Sequence, residues 1–426
     1  MALSHPKQRH AFLFLSIMTP SSCSTSAARR VTTMMVILIL AGPAMAQKKQ
    51  HADSISLKQL EKTDLIDFAA LALRLGDKGK VSRPGDEGTV HFSVIPVAPS
   101  SSGQGKIAVS AINASFYLGK ETNISSIYFS PYTNFATSYG ITLTPYIWFN
   151  KNDWNGTGDF RIIHNSLRDY GLGGSASTAQ PTEINYSQIR TYLTAHTRII
   201  GNFYLGAGYN LDYFYSIREE DPTPTSPSDF SNSGSTAKDI VSSGITANIL
   251  RDSRKNSVNP TQGYYTAVVV RVNKKSMGST YDWSSLYVDG RKYYSFSDSR
   301  HKVMAVRAFY WGTFGDVPYL NMPATFEDPG GRAGRGYNLD RFRGKHMLFA
   351  EAEYRFDISS HGFLGAVLFA NVQSYTDNKN NFDYIRPAAG FGFRFKFNRH
   401  SNTNLTLDFA FGREGLNWYI NLGEYF

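Results

Sequence analysis

The chain has 426 residues with a net charge of +10, 42% apolar and 18% charged residues, 36 Gly, 26 Tyr and 29 Phe. Charge is low against the ~25% of ordinary soluble domains, while the mean hydropathy of −0.31 is still polar. Runs of about 20 apolar residues are nearly absent, which excludes a helical-bundle membrane protein and leaves alternating β-structure, with an outer-membrane barrel as its extreme form.

In chain order, residues 1–46 read as a secretory signal peptide. Arg29-Arg30 precede the apolar run Met34 to Leu40, Gly42-Pro43 breaks it, and Ala44-Met45-Ala46 offers a cleavage site. The long basic lead-in leaves the start codon open between Met1 and Met18 or nearby. Cys23 lies upstream of the apolar run and is no lipid-anchor cysteine. Cleavage would remove four basic residues, no acids and the single cysteine, leaving +6. That excludes a disulfide framework, thiol catalysis and Cys-ligated metals.

Residues 47–87 are polar and hold one expected helix, with Thr63 or Asp64 as N-cap and Leu65, Phe68, Ala69, Ala72 and Leu75 on one face before Gly76. Packed on a barrel, used as a plug or used to bind a partner, such a segment is short for an independent domain.

Residues 88–426 predict a transmembrane β-barrel. In Phe391–Phe397 four Phe alternate with Gly, Arg and Lys, so period two puts the rings on one face and both charges on the other. Glu351, Glu353 and Arg355 likewise share a face opposite Ala350, Ala352, Tyr354 and Phe356. Leu405, Leu407, Phe409 and Phe411 face away from Thr406, Asp408 and Gly412. A Lys or Arg facing lipid at mid-bilayer costs about 2–4 kcal/mol, which assigns the polar face to the lumen. Sixteen candidate strands run from 89–98 to 416–426, and an even count returns both ends to one side. Loops 168–185, 219–237 and 315–345 then fall on the opposite, extracellular side. Pro96 interrupts the first strand, as an edge or seam strand tolerates.

The longest loop carries Gly334-Arg335-Gly336-Tyr337 and Arg341-Phe342-Arg343-Gly344, directly before the acidic strand. Gly permits tight turns and a guanidinium can pair bidentately with a lumen carboxylate, so the loop is expected to fold back into the lumen. Between two strands lies Arg251-Asp252-Ser253-Arg254 running to Asn259-Pro260-Thr261-Gln262-Gly263-Tyr264-Tyr265, a turn that Asn259-Pro260 initiates and Gly263 completes.

On the Arg335-Gly336-Tyr337 loop, the Asp252-to-Tyr265 turn and the three strands closing on Phe426, the sequence resembles the BamA/TamA-like superfamily of outer-membrane assembly factors, the bacterial surface antigen family. The resemblance implies a sixteen-stranded barrel with the Arg loop between the eleventh and twelfth strands, and a C-terminal Phe426 read by the assembly machinery. The family usually carries POTRA domains, which residues 47–87 are too short to hold, so the resemblance is to a POTRA-less branch. Relatives often have an Asp where Asn371 stands here, so the acceptor of Arg335 is expected among Glu351, Glu353 and Asp408. Alternatively, these charges merely line a wet lumen.

No metal-ligand spacing or nucleophile elbow stands out, so the protein is not expected to be an enzyme or to need a cofactor. Gly390-x-Gly392 reads as small residues suited to barrel curvature. The implied role is help with insertion or translocation of outer-membrane proteins or lipids in a Gram-negative outer membrane. The implied partners are membrane lipid, nascent outer-membrane proteins or an envelope complex, with no nucleic acid. The alternative is a passive porin, a structural barrel or an accessory subunit, for which a sixteen-stranded wall is wide enough.

Overall fold

A computed structural model describes residues 90–102, 105–119, 121–174, 181–220, 239–296, 302–399 and 401–426. The expected signal peptide and the helix expected within 47–87 lie outside the described residues. Sixteen strands follow in chain order, each paired antiparallel with the next. They are β1 (Val90–Ser102), β2 (Gly105–Phe116), β3 (Ser125–Thr133), β4 (Tyr139–Phe149), β5 (Trp154–Asp169) and β6 (Thr182–Ile200). Then come β7 (Phe203–Glu220), β8 (Ile240–Asp252), β9 (Gly263–Asn273), β10 (Trp283–Ser295) and β11 (Lys302–Gly315). The last five are β12 (His346–Asp357), β13 (Leu364–Tyr375), β14 (Arg386–Asn398), β15 (Thr403–Gly412) and β16 (Gly415–Leu422).

The pleat sorts side chains as the alternation predicts. Along β8, Ile245, Ala247, Ile249 and Arg251 point outward and are exposed, while Thr246, Asn248, Leu250 and Asp252 are buried. Along β14, Phe391 is exposed and Arg394 is buried on the opposite face. Apolar groups outside and ions inside make sense only where lipid is the outer solvent.

Three departures from the sequence expectations have physical causes. Strands β5, β6 and β7 run into the loops expected over 168–185 and 219–237, to Asp169, Thr182 and Glu220. Their wall continues through polar residues such as Glu183 and Arg218, which periodicity does not flag. In β1 the pairing register slips between Ile95 and Ala98, so the strand bulges around Pro96, which has no N–H to give a ladder. The last strand was expected over 416–426 but ends at Leu422. Gly423, at φ 81°, turns the chain, and Glu424, Tyr425 and Phe426 are buried among residues of the lumen.

β1 and β16 lie side by side, yet among the described residues no ladder joins them, whereas each other neighbouring pair is laddered. On the side holding both ends of the barrel, turn 253–262 reaches toward the opposite wall. Asn256 Nδ2 donates to the Ser401 carbonyl at 3.1 Å and Asn259 Nδ2 to that of Asn402 at 3.2 Å. The Glu424 amide reaches the Val258 carbonyl at 3.3 Å.

Candidate functional site: the lumen loop and its anchors

Loop 316–345 joins β11 to β12 and folds into the barrel, burying Tyr319, Leu320, Met322, Ala324, Ala333, Tyr337 and Phe342. Arg335 is its fully buried tip. Its Nη1 donates to Asp408 Oδ2 at 2.6 Å and its Nη2 to Glu351 Oε1 at 2.7 Å, and Nη2 also pairs with Glu353. The structure therefore brings Arg335 onto all three acids named from the sequence, two from β12 and one from β15. Burying a cation costs several kcal/mol unless its charge and donors are matched. Here the in-plane donors meet carboxylates while both faces of the guanidinium meet rings, Phe369 at 3.6 Å and Tyr425 at 4.0 Å from its central carbon. Arg is suited to this because its planar fork stacks and pairs at once, which an ammonium does not do.

The acids are themselves shared. Arg394 Nη1 donates to Asp408 Oδ1 at 2.5 Å, and Arg355 Nε to Glu353 Oε2 at 2.7 Å. Glu424, from the inturned tail, accepts from Arg394 Nε at 2.7 Å and from Asn404 Nδ2 at 2.7 Å. Arg355 Nη2 also donates to the Phe426 oxygen at 3.0 Å. Periodicity flagged Arg355 and Arg394 as lumen residues but gave no sign that the tail would complete the network. Phe369 and Tyr425 were missed as well, because stacking across a lumen leaves no local pattern.

Asn371 holds the loop differently from the acids. Its Nδ2 donates to the main-chain carbonyl of Arg335 at 2.9 Å, holding the loop by its backbone. Gly336 follows at φ 100°, and a Cβ there would run into Ala388. Its N–H donates to Tyr419 Oη at 3.0 Å, and that hydroxyl donates to the Tyr337 carbonyl at 3.0 Å. Tyr337 Oη donates to the Pro387 carbonyl at 2.7 Å. Gly392, expected to serve curvature, instead makes room for an ion: a side chain there would fall on Asp408 Oδ1.

The loop is also pinned to the far wall. Asn321, in a buried 3-10 turn Tyr319–Asn321, donates to Asp212 Oδ2 at 3.1 Å and accepts from Ser242 Oγ at 2.8 Å. Asp212 is fully buried and takes Arg190 Nε at 2.8 Å, Arg271 Nη1 at 2.9 Å and Tyr192 Oη at 2.6 Å. Glu327 meets Arg161 at 3.3 Å, and Tyr319 Oη bonds Asp169. The loop thus spans the lumen between two ion clusters, and cavities of about 310 and 520 Å³ lie beside it.

The turn residues sit apart from this. Asp252 accepts from Arg254 Nη2 at 2.8 Å and from Tyr146 Oη at 2.9 Å, anchoring turn 253–262 to the wall. The Pro260 carbonyl accepts from Arg355 Nη1 at 3.4 Å, and Gly263 adopts φ 102° against the Ser253 carbonyl. Arg355 therefore links the turn to the acidic network.

Comparison with known proteins gives a family. A model described as the Omp85 superfamily domain matches residues 111–426. No curated protein matches. Among solved structures, BamA from Haemophilus ducreyi lacking POTRA domains 1–3 is 14% identical at a TM-score of 0.51, over 79% of this chain and 70% of that one. CdiB from Acinetobacter baumannii is 10% identical at 0.50, over 78% and 59%, and CdiB from Escherichia coli 8% at 0.51, over 80% and 63%. At such identities these likenesses show a shared fold, and the chain spans less than two thirds of either CdiB. Because the family model covers nearly the whole wall and its crossing loop, the chain belongs to the Omp85 superfamily.

Proposed function

We propose that the protein assists insertion or translocation of other outer-membrane proteins in a Gram-negative outer membrane. The observation that carries this reading is the seam. β16 has eight residues against thirteen in β1, no ladder joins them among the described residues, and the tail that would extend β16 is committed to the lumen. Unpaired strand edges are templates for an added strand, which is how an incoming chain would dock. A loop braced across the lumen supports this reading over a wide passive pore. The barrel offers binding and a free edge and is read as doing no bond-making chemistry of its own. Its partners in this reading are nascent outer-membrane proteins and the surrounding lipid.

The test is depletion of the protein, with the outer-membrane proteome quantified against the whole-cell proteome. Selective loss of other barrels at constant synthesis is expected. A disulfide introduced between cysteines in β1 and β16 should reproduce that loss and reverse on reduction. An unchanged outer-membrane proteome overturns the proposal.

A further inference from the structure

The lipid-facing wall carries a groove of about 680 Å³ across β9 to β13, on the back of the strands that hold Arg335. Its floor is made of small side chains in register: Gly290 pairs with Ala308, Ala308 with Ala350, and Ala352 with Ala370. Leu348, Leu368 and Tyr294 stand exposed around it, 45–55% open, so the wall is recessed between bulky neighbours. At the end of the groove nearest the chain termini, Tyr264 and Lys292 line it.

Two cations share the Tyr264 ring. The Arg251 guanidinium carbon lies 4.6 Å from its centroid and Lys292 Nζ 5.5 Å, with Lys292 also 5.1 Å from Tyr294. Lys302 is exposed at the first position of the neighbouring β11. No carboxylate pairs with Arg251, Lys292 or Lys302 among the described residues, although nearly all of the lumen arginines have one. Outward-facing charge is tolerated only near the bilayer interface, where aromatic rings gather and long cations reach the headgroups. Cations that face no described carboxylate attract anionic headgroups there, each worth about fivefold in affinity.

We infer that this face binds an anionic diacyl phospholipid of the leaflet on the side of the chain termini, with its phosphate at Arg251 and Lys292 and an acyl chain in the Gly290–Ala308–Ala350–Ala352–Ala370 groove. Charge complementarity selects the headgroup, and the recess beside it packs that lipid's chain more closely than a flat wall would. The inference rests on reading the protein as an outer-membrane barrel, which sets the termini in the periplasm and this end of the wall in the phospholipid leaflet. It is independent of whether the barrel assembles client proteins.

The test is native mass spectrometry of the purified full chain released from nanodiscs of phosphatidylethanolamine and phosphatidylglycerol, with lipopolysaccharide added in a parallel sample. Preferential retention of phosphatidylglycerol is expected. It should fall about fivefold in Arg251→Gln and again in Lys292→Gln, and Ala352→Phe, which fills the groove without altering charge, should also lower it. Circular dichroism and heat-modifiability would report that the variants stay folded. Equal retention of both phospholipids, no response to the three substitutions, or retention of lipopolysaccharide instead overturns the inference. None of these outcomes bears on the proteome readout of the assembly role.

Discussion

The central carbon of the Arg335 guanidinium stands 3.6 Å from the centre of the Phe369 ring. One face of the loop cation is thereby sealed by β13, while Tyr425 from the tail seals the other. With both faces dry, the three carboxylates at the edge act in a low-dielectric pocket, where pairing is strong and the absence of a partner is costly.

Arg335→Ala should therefore destabilise the folded barrel by about 3–5 kcal/mol, the usual result of stranding buried partner charges. Arg335→Lys should recover only a minor part, since a point charge cannot serve Asp408 and the Glu351–Glu353 pair from one plane. Urea unfolding in detergent, followed by heat-modifiability, measures both.

Gly392→Ala should act like a partial loss of Asp408, because the added methyl occupies the place of Oδ1. A loss of about 1–3 kcal/mol is expected from overpacking. A Gly390→Ala control separates this from general strand strain. At 390 a Cβ meets the Phe409 carbonyl and the Phe369 ring, so that variant should unsettle stacking but leave the Asp408 pairs with Arg335 and Arg394.

Asp212→Asn should loosen the opposite anchor. Asp212 holds Arg190, Arg271, Tyr192 and Asn321 together, so its neutralisation leaves two buried cations short of charge at a cost of about 3–5 kcal/mol. Both anchors hold one loop, so single-channel conductance should rise little in either single variant and strongly in Asp212→Asn with Arg335→Ala. Equal, additive rises would show that the loop is not braced at two points.

Removal of residues 424–426 takes away Glu424, the Tyr425 ring and the Phe426 acceptor of Arg355 together. Faster amide exchange across 334–337 is expected, with protection of the Asp212 side unchanged. Tyr425→Leu should give a smaller change in the same direction, because it keeps the apolar seal and loses the cation–ring attraction of about 0.5–2 kcal/mol.

Much of the wall was legible because lipid enforces a period-two code: a charge at Glu351, Glu353 or Asp408 has only one face on which to lie. The pairing of the loop motif with those acids was expected from the family resemblance, the code supplying only the face on which the acids lie. The other relationships were not legible, since they cross the lumen between residues far apart in the chain. Tyr319 meets Asp169 across 150 positions, and Asn321 meets Asp212 across 109. A weak signal did exist for the second anchor. Asp212 and Arg271 each sit at a lumen-parity position between apolar neighbours, Leu211 and Tyr213 around the first and Val270 and Val272 around the second. The inward turn after Leu422 had no such signal, because an aromatic end at Tyr425 and Phe426 reads equally well as a continuing strand.

The inturned tail has a consequence for the order in which the molecule is made. The loop leaves the wall after β11, but Asp408, Glu424 and Tyr425 belong to a stretch of chain synthesised well after it. Until that stretch arrives, Arg335 has β12 acids on one edge and open water over one face. Contacts of this sequence separation form late and slowly. Seating of the loop therefore marks a finished wall: the cation is sealed from solvent only after β15 and the residues beyond β16 are in place.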